Sequence, residues 1–176
     1  EVSVLMRLLH KWLIRERKEL LEKNIRFRAI GSIQRLPQVV QQLIRETENI
    51  SRVNSGLQVT LALSYSAREE IVQAAKRLAE KAKSGEIAPS DISEDLFSEQ
   101  LWTSQIGDPD LLIRTSGEQR ISNFLLWQVA YSELYFTDTT WPDFKPSDFR
   151  RALDSYSRRQ RRYGLTSHQT VARVTL

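Results

Sequence analysis

Two arginines on either side of a short polar break have the clearest chemical potential in this sequence. Arg114 and Arg120 flank the break in the stretch DLLIRTSGEQRISNFLLWQ, where apolar residues stop and then resume. A guanidinium group binds phosphate oxygens in pairs, and a charge-assisted hydrogen bond is worth roughly 1.5–3 kcal/mol. Two such groups on one loop indicate a clamp for a diphosphate. The alternative is a pair of solvated surface residues, common on basic domains, and the spacing leaves it open.

The residues around the two arginines predict how a clamp would be positioned. DLLIRT is typical of a strand, so Arg114 is expected at its carboxyl end, where ligands bind in open parallel sheets. The residues TSG can turn tightly and offer backbone N–H groups to an anion. Ser122 is a good N-cap for a helix over NFLLWQVAY, and helix N-termini favour anions.

A carboxylate near this loop suggests a metal. Glu133 stands between the expected helix and the strand ELYFTD, in an otherwise apolar and aromatic neighbourhood. Such a group needs a cation or a hydrogen-bond donor as partner. Beside phosphate, Mg²⁺ is the natural candidate, because it takes one or two carboxylates together with substrate oxygens and water. The alternative is a salt bridge to one of the many arginines, and spacing alone favours it.

The composition is that of a globular domain with a basic surface. The chain has 176 residues, of which 40% are hydrophobic, enough for one compact domain with a core. No apolar run approaches the length of a membrane span, which predicts a soluble domain, and the absence of cysteine excludes disulfides and thiol-ligated metals. The formal net charge of +4 suits an anionic ligand. Neither His10 nor His168 is assigned a catalytic role.

The apolar periodicity predicts helices that alternate with strands, which indicates an α/β fold with a parallel sheet. The predicted helices are Val4–Leu21, Leu36–Ile50, Ala67–Gly85, Glu94–Leu101, a segment from about Ser122, and Pro146–Arg162. The predicted strands are Ile25–Gly31, a buried strand in Leu57–Ser66, Asp110–Thr115 and Glu133–Asp138. No internal repeat or linker interrupts this series, so a single domain is expected.

The stretch DLLIRTSGEQRISNFLLWQVAYSELYFTDTTWPDF resembles the signature region of the cis-prenyltransferases, the undecaprenyl diphosphate synthase (isoprenyl transferase) group. The segments IRFRAIGSIQRLP, LQVTLALSYSAREEIVQAAKRLA and RRQRRYG are similar to other parts of that family, so the resemblance covers nearly the whole chain. It implies a single open, mainly parallel β-sheet flanked by helices. The family domain would span residues 1–164, and residues 165–176 would form a C-terminal tail.

The resemblance implies a transferase that condenses isopentenyl diphosphate with an allylic diphosphate such as farnesyl diphosphate. Successive cis additions would give a long-chain polyprenyl diphosphate, with the undecaprenyl compound as the expected product. Matched by position, the substrate-binding residues would be Arg114, Arg120, Ile121, Ser122, Arg162 and Gly164. Of these, the residues in the triplet RYG would reach the diphosphate site of the other subunit in a homodimer. Glu133 would be a ligand of Mg²⁺.

The family also implies roles for the rest of the chain. The helices Val4–Leu21 and Leu36–Ile50 would wall a tunnel for the growing hydrocarbon, in addition to their ordinary packing on the sheet. The protein would be cytoplasmic, would have no nucleic-acid partner, and would contact a membrane surface through its lipid product.

One part of the family pattern is missing from this sequence. The family's N-terminal section carries a D-G-N-G-R motif whose aspartate binds Mg²⁺, and no residue here replaces it. We therefore expect no catalytic residue between Glu1 and Leu176 and no activity from this stretch alone. The first strands of the sheet would also be missing, which would leave apolar surface uncovered. Gln119 takes the place of a histidine found in some members, so a metal or proton role there is unsupported.

Two other functions compete with prenyl transfer. A non-catalytic partner subunit of a heteromeric prenyltransferase would lose much of the substrate-binding set, whereas this chain retains Arg114, Arg120, Ser122 and Glu133. A nucleic-acid-binding domain would carry a contiguous basic stripe with stacking aromatic residues. The arginines here gather instead at a strand end and in the C-terminal helix, so prenyl transfer is the favoured prediction.

Overall fold

The structure, a computed structural model, describes residues 2–159 of the chain, with side chains from residue 4 onward. Its internal contacts divide the chain into a first unit, Glu1–Gln105, and a second unit, Ile106–Leu176. Arg162 and Gly164, which the resemblance implicates, lie outside the described residues, as does the tail 165–176. The prediction that residues 1–164 form one family domain is not tested by this division into two units.

The first unit contains a parallel strand pair and four helices. Its strands are β1 (Arg26–Ile30) and β2 (Gln58–Ala62), and its helices are α1 (Val2–Glu22), α2 (Gln38–Ser51), α3 (Ala67–Lys83) and α4 (Glu94–Ser98). β1 and β2 pair in parallel, from Arg26 opposite Gln58 to Ile30 opposite Ala62, and α2 connects them. These elements lie where the sequence predicts helices and strands.

The core of the first unit forms where the apolar faces of α1 and α2 meet β1. Its buried members are Leu13, Leu20, Phe27, Leu36, Val40 and Ile44. Val40 and Ile44 are four residues apart, which places both on one face of α2. Phe27 is 1% exposed, because the alternation of β1 turns it to the face opposite the arginines beside it. Each such burial contributes roughly 1.5–3 kcal/mol, so this cluster positions both helices.

A polar contact also joins α1 to α2. The Arg17 guanidinium donates to the Glu46 carboxylate at 2.7 Å and to the Thr47 hydroxyl at 3.3 Å. The hydrogen bond from Arg17 lowers the pKa of Glu46, with a further hydrogen bond from Gln42 acting in the same direction. The pair therefore stabilises the fold above the ordinary pKa of glutamate, and this contribution is lost as the pH falls through the lowered pKa.

Residues at both ends of α3 fix where the helix begins and ends. The Ser66 hydroxyl accepts a hydrogen bond from the Glu69 backbone N–H at 3.3 Å, which caps the first turn. Beyond the last turn, Gly85 has a φ of +76°, a left-handed conformation that glycine adopts readily. Within α3, Glu70 is 1% exposed, and its carboxylate accepts from the Trp102 backbone N–H at 2.7 Å. This bond ties the segment after α4 to α3.

The second unit contains another parallel strand pair. Its described elements are β3 (Leu111–Arg114), β4 (Glu133–Phe136) and α5 (Pro146–Ser157). β3 and β4 pair in parallel, with Arg114 opposite Phe136 at the carboxyl end. Parallel strands alternating with helices confirm the predicted α/β class. The described strands form two pairs, one in each unit.

The helix predicted from about Ser122 is wrong, because the structure has turns and bends over residues 122–131. Ser122, Asn123 and Leu125 have φ values of +53°, +60° and +49°, a left-handed backbone that cannot continue a right-handed helix. One helix-like bond forms, from the Val129 N–H to the Leu125 carbonyl at 2.9 Å. The stretch NFLLWQVAY is apolar at nearly every position, so its sequence selects no single face for burial. The predicted N-cap role of Ser122 is wrong for the same reason.

Apolar side chains of the first unit are less covered than a full core requires. β2 was predicted to be buried, yet its residues are half-buried or exposed, because its one partner among the described strands is β1. On α1, Val4, Leu5 and Leu8 are 47%, 59% and 57% exposed, so this part of the helix presents an apolar surface. Even so, none of the described helices has both the length and the apolar character that crossing a membrane requires.

Gly31, which follows β1, is the glycine whose replacement should destabilise the first unit most. Its φ is +109°, and a Cβ atom there would lie 2.2 Å from the Leu63 carbonyl oxygen. Gly31→Ala should lower the free energy of unfolding by more than about 3 kcal/mol, measured by urea denaturation. Gly85→Ala is the control, since its φ of +76° is left-handed but no neighbouring atom lies within 4 Å. Gly85→Ala should lower the free energy of unfolding by about 1 kcal/mol. Equal decreases in the two variants would contradict the steric argument.

Candidate diphosphate site

Arg114 is the last residue of β3, so its side chain leaves the strand pair at the carboxyl end, as the sequence predicts. The residue is half-buried. Its backbone carbonyl accepts a hydrogen bond from the Thr137 N–H at 3.0 Å, which fixes this strand end beside the loop after β4. Its guanidinium forms no ion pair with any carboxylate in the part of the chain that the structure describes. The group is therefore available to an anionic ligand.

The loop after β3 is fastened to the loop after β4 by two backbone hydrogen bonds. The Ser116 N–H donates to the Thr139 carbonyl at 2.9 Å. The Gly117 N–H donates to the Thr137 carbonyl, also at 2.9 Å. Ser116 and Gly117 have φ values of +68° and +70°, which produce the expected tight turn. Because both of these N–H groups are already bonded, the expectation that they seat an anion is wrong for Ser116 and Gly117, and for the Thr115 N–H it stays a prediction.

Arg120 lies further along the same loop and forms an ion pair with Glu118. Their side chains are 63% and 37% exposed, so solvent screens the pair, and such pairs contribute roughly 0–1 kcal/mol. A multiply charged diphosphate offers the guanidinium a stronger partner than one carboxylate does. Glu118 therefore competes with a ligand for Arg120 but does not exclude it.

Ile121 and Ser122 are the other predicted contacts on this loop. Ile121 is half-buried and Ser122 is exposed. Since no helix begins at Ser122, its hydroxyl group is not needed as a cap and can bond directly to a ligand. We call the segment from Arg114 to Ser122 the clamp loop. The structure keeps these predicted residues on one loop of the second unit, and their roles in binding stay predictions.

Glu133 begins β4, at the end of the strand pair opposite to Arg114. The two residues are offset by three positions in the register, which is about 10 Å along the strands. The Glu133 carboxylate forms an ion pair with Arg159, whose Nη1 lies 2.7 Å from Oε2 of the glutamate. The same nitrogen of Arg159 donates to the Leu134 carbonyl at 2.9 Å. The salt bridge that spacing favoured as the alternative is the arrangement found.

The surroundings of Glu133 fit a magnesium site that a substrate would complete. No group of three or more histidine, aspartate or glutamate side chains gathers as a metal site within residues 4–159. One oxygen of the Glu133 carboxylate is bonded to Arg159, and the other can bind a cation. Mg²⁺ commonly takes one or two carboxylates and completes its shell with phosphate oxygens and water. The role of Glu133 as a metal ligand stays a prediction.

The first unit contains a large pocket of about 1120 Å³ with a mostly apolar wall, the apolar pocket. Its lining residues are Met6, Arg7, His10, Lys11, Arg35, Leu36, Pro37, Val39, Val40 and Ser64. They come from α1, from α2 and the segment that leads into it, and from the residues after β2. Both helices that the resemblance implies as tunnel walls therefore contribute to one pocket.

Two cationic side chains of α1, those of Arg7 and Lys11, line the apolar pocket together with the imidazole of His10, and none of the three was predicted from the sequence. Arg7, His10 and Lys11 are three and four residues apart, which places them on one face of the helix. A third cation, Arg35, is held by Glu69 through two hydrogen bonds of 2.9 and 2.6 Å. The helical spacing beside an apolar stripe was the signal in the sequence. A pocket lined by apolar and cationic side chains suits a ligand with an apolar body and an anionic end.

The sequence was compared with known protein families and curated proteins. It matches one family model, described as "Putative undecaprenyl diphosphate synthase", over residues 1–164. It is 47% identical over 173 residues to an isoprenyl transferase from Porphyromonas gingivalis, covering 98% of this chain and 68% of that protein. It is 45% identical to a ditrans,polycis-undecaprenyl-diphosphate synthase of Escherichia coli K12, described as (2E,6E)-farnesyl-diphosphate specific, covering 94% of this chain and 66% of that protein.

Two solved structures have a similar fold. Lavandulyl diphosphate synthase from Lavandula x intermedia, solved with dimethylallyl diphosphate, superposes with a TM-score of 0.90 at 44% identity, covering 93% of this chain and 71% of that one. A "probable undecaprenyl diphosphate synthase" from Campylobacter jejuni superposes with a TM-score of 0.82 at 34% identity, covering 93% and 74%. The chain spans between 66% and 74% of the length of these four relatives.

Removing the competing carboxylate should make Arg120 more available to anions. Glu118→Gln should tighten the binding of inorganic diphosphate about two- to fivefold at low salt, because Arg120 loses its exposed ion-pair partner. Calorimetric titration measures the affinity. Asp154→Asn is the control, because it removes a charge from an exposed position on α5. Unchanged or weaker binding by Glu118→Gln would show that this pair does not compete with the ligand.

Proposed function

The chain belongs to the undecaprenyl diphosphate synthase family of isoprenyl transferases, enzymes that transfer prenyl groups, and we propose that it acts in condensing isopentenyl diphosphate with an allylic diphosphate. The observation that carries the proposal is Arg114, half-buried at the carboxyl end of β3 and without a carboxylate partner in the described range. Successive cis additions would give a polyprenyl diphosphate, with the undecaprenyl compound as product. The farnesyl-specific relative from Escherichia coli supports farnesyl diphosphate as the allylic substrate.

Arg114 and Arg120 would hold the diphosphate of isopentenyl diphosphate, and Ile121 and Ser122 would add contacts from the same loop. The backbone bonds that fasten this loop position Arg114 before the substrate arrives. A group that is already in place loses little further freedom on binding, which favours a single orientation of the bound substrate. With its diphosphate fixed, isopentenyl diphosphate would present its alkene end to the allylic carbon in one arrangement. The diphosphate that departs is that of the allylic substrate, so the clamp arginines would position isopentenyl diphosphate and would not bind the leaving group.

The apolar pocket would take the hydrocarbon of the allylic substrate and of the growing product. Its volume of about 1120 Å³ is slightly above the range of about 300 to 1,000 Å³ that is usual for small-molecule sites. Each CH₂ group buried there would contribute about 0.8 kcal/mol. Arg7 and Lys11 also line this pocket, and their positive charges would attract an anionic head group. This proposal rests on residues of the first unit alone.

Glu133 would be the residue of this chain that holds Mg²⁺. When bound, the ion neutralises charge that develops on the diphosphate oxygens. Arg159 is bonded to one oxygen of this carboxylate and partly neutralises it, so a metal ion would have to bind in competition with this guanidinium. The second oxygen would bind the metal while the hydrogen bond to Arg159 orients the carboxylate.

Further parts of the proposal come from the family. They are a homodimer in which Arg162 and Gly164 reach the partner's diphosphate site, a cytoplasmic location, and membrane contact through the lipid product. We also propose that residues 1–176 alone do not elongate a prenyl chain, since the relatives are longer. A non-catalytic partner subunit is the alternative, and product sizing with farnesyl diphosphate, isopentenyl diphosphate and Mg²⁺ in the full-length protein separates the two.

Removing either clamp arginine should weaken substrate binding. Arg114→Ala and Arg120→Ala should each raise the Kd for isopentenyl diphosphate about tenfold or more, because each removes charge-assisted hydrogen bonds. The effect of Arg114→Ala should be the larger, since Arg120 is more exposed and shared with Glu118. Isothermal titration calorimetry measures the affinity, and circular dichroism verifies that the fold is retained.

The matched control for these variants is Arg150→Ala. Arg150 is an exposed arginine of α5 in the same unit, outside the clamp loop. Its loss should change the affinity by less than about twofold, the effect of one screened surface charge. If all three variants bind isopentenyl diphosphate equally weakly, a general attraction by the basic surface explains the binding, and the clamp is refuted. Unchanged binding by the Arg114 and Arg120 variants would refute it.

Glu133→Gln should reduce the gain in isopentenyl diphosphate affinity that Mg²⁺ produces, because a neutral amide is a weaker ligand for this ion than a carboxylate. Titrations with and without magnesium chloride give the gain. Arg159→Ala removes the ion-pair partner and leaves the carboxylate, so the gain should persist or increase. If Glu133 has only a structural role, both variants will lower the free energy of unfolding and leave the Mg²⁺ gain at its original value.

A further inference from the structure

A second basic site lies in the first unit, and the proposed function does not use it. A pocket of about 320 Å³ has polar residues around its wall. The polar residues that line it are Arg26, Arg28, Glu48, Asn49, Arg52 and Gln105. We call it the arginine pocket and propose that it binds a phosphate group, carried either by a soluble phosphate compound or by an anionic lipid headgroup.

The arginines meet in this pocket because of how β1 and α2 are packed. Arg26 and Arg28 are two residues apart on β1, so their side chains project from the same face of the strand. Phe27, between them, is 1% exposed in the core, which fixes the direction in which that face points. Arg52 directly follows the last residue of α2, and it brings a third guanidinium to the wall of the same pocket. The core packing thus dictates this cluster.

The charges in the arginine pocket are not balanced by the protein. Three arginines and one glutamate line it, which leaves a net charge of +2. Arg26, Arg28 and Arg52 form no ion pair with any carboxylate in residues 4–159. The Glu48 carboxylate accepts a hydrogen bond from the Ala29 backbone N–H at 2.9 Å. Like charges in one pocket repel unless an anion is bound, so an anionic ligand would stabilise this part of the fold.

The chemistry of the lining favours phosphate over a carboxylate ligand. Guanidinium groups pair with phosphate oxygens in a forked geometry, and three of them match a group with several oxygens and more than one negative charge. The amides of Asn49 and Gln105 can add neutral donors. The volume of about 320 Å³ is at the lower end of ligand pockets, which suits a headgroup or a diphosphate.

The test uses the chain carrying Arg114→Ala and Arg120→Ala, so that the clamp loop does not contribute to binding. Inorganic diphosphate is titrated by calorimetry, and co-sedimentation is measured with phosphatidylcholine vesicles that contain or lack phosphatidic acid. Saturable binding of diphosphate alone assigns a soluble ligand. Binding only to vesicles with phosphatidic acid assigns a lipid headgroup, and binding of both supports the shared phosphate chemistry. The absence of saturable binding to either probe at 0.15 M salt overturns the proposal.

A variant at the exposed end of α2 locates the binding. If diphosphate or the vesicles bind, Arg52→Gln should weaken that binding about tenfold. The substitution removes charge-assisted hydrogen bonds and leaves the core untouched. Combining it with Arg26→Gln and Arg28→Gln should abolish saturable binding. If this triple variant does not fold, the Arg52→Gln result decides alone.

Arg45→Gln is the matched control for Arg52→Gln. Arg45 is an exposed arginine on the same helix that does not line the pocket. Its loss should weaken binding less than about twofold. Equal effects of the two substitutions would overturn the pocket in favour of general attraction by a basic surface. Since the clamp arginines are absent from this background, the result is independent of the proposed prenyl transfer.

Discussion

The parallel pairing of β3 with β4 is the interaction on which the candidate site depends. It sets Arg114 at the carboxyl end of β3, and the loop beyond is fastened at Ser116 and Gly117 by backbone hydrogen bonds. A shift of this register by one residue would turn every side chain of the strand to the other face. Backbone hydrogen bonds therefore position the clamp loop, and side-chain contacts are not required for this. A ligand can then engage the guanidinium without disturbing the fold.

The arrangement of ion pairs separates structural cations from those available for binding. Arg35 is held by two hydrogen bonds to Glu69, and Arg17 by Glu46, so both contribute to packing in the first unit. Arg120 has only an exposed partner, and Arg114 has none among the described carboxylates. Cations with weak partners exchange them for a ligand at little loss of stability. The arginines of this chain thus fall into two groups: those whose ion pairs stabilise the fold, and those whose charge is available to a ligand.

The sequence predicted the α/β class and the position of Arg114, because amphipathic spacing, strand composition and a helix-ending glycine such as Gly85 act locally. It did not predict the turns at 122–131, where non-glycine residues adopt a left-handed backbone that depends on their surroundings. It also left the partner of Glu133 open. With 26 lysines and arginines in the chain, only the folded arrangement selects Arg159. The pockets of the first unit likewise depend on packing between elements that are distant in sequence.

The position of isopentenyl diphosphate in a crystal structure of its complex with the protein tests the central claim most directly. The account predicts diphosphate oxygens about 2.7–2.9 Å from the guanidinium nitrogens of Arg114 and Arg120, with the ion pair between Arg120 and Glu118 broken. A diphosphate bound away from both arginines, with the Arg114 side chain directed into solvent, would contradict it.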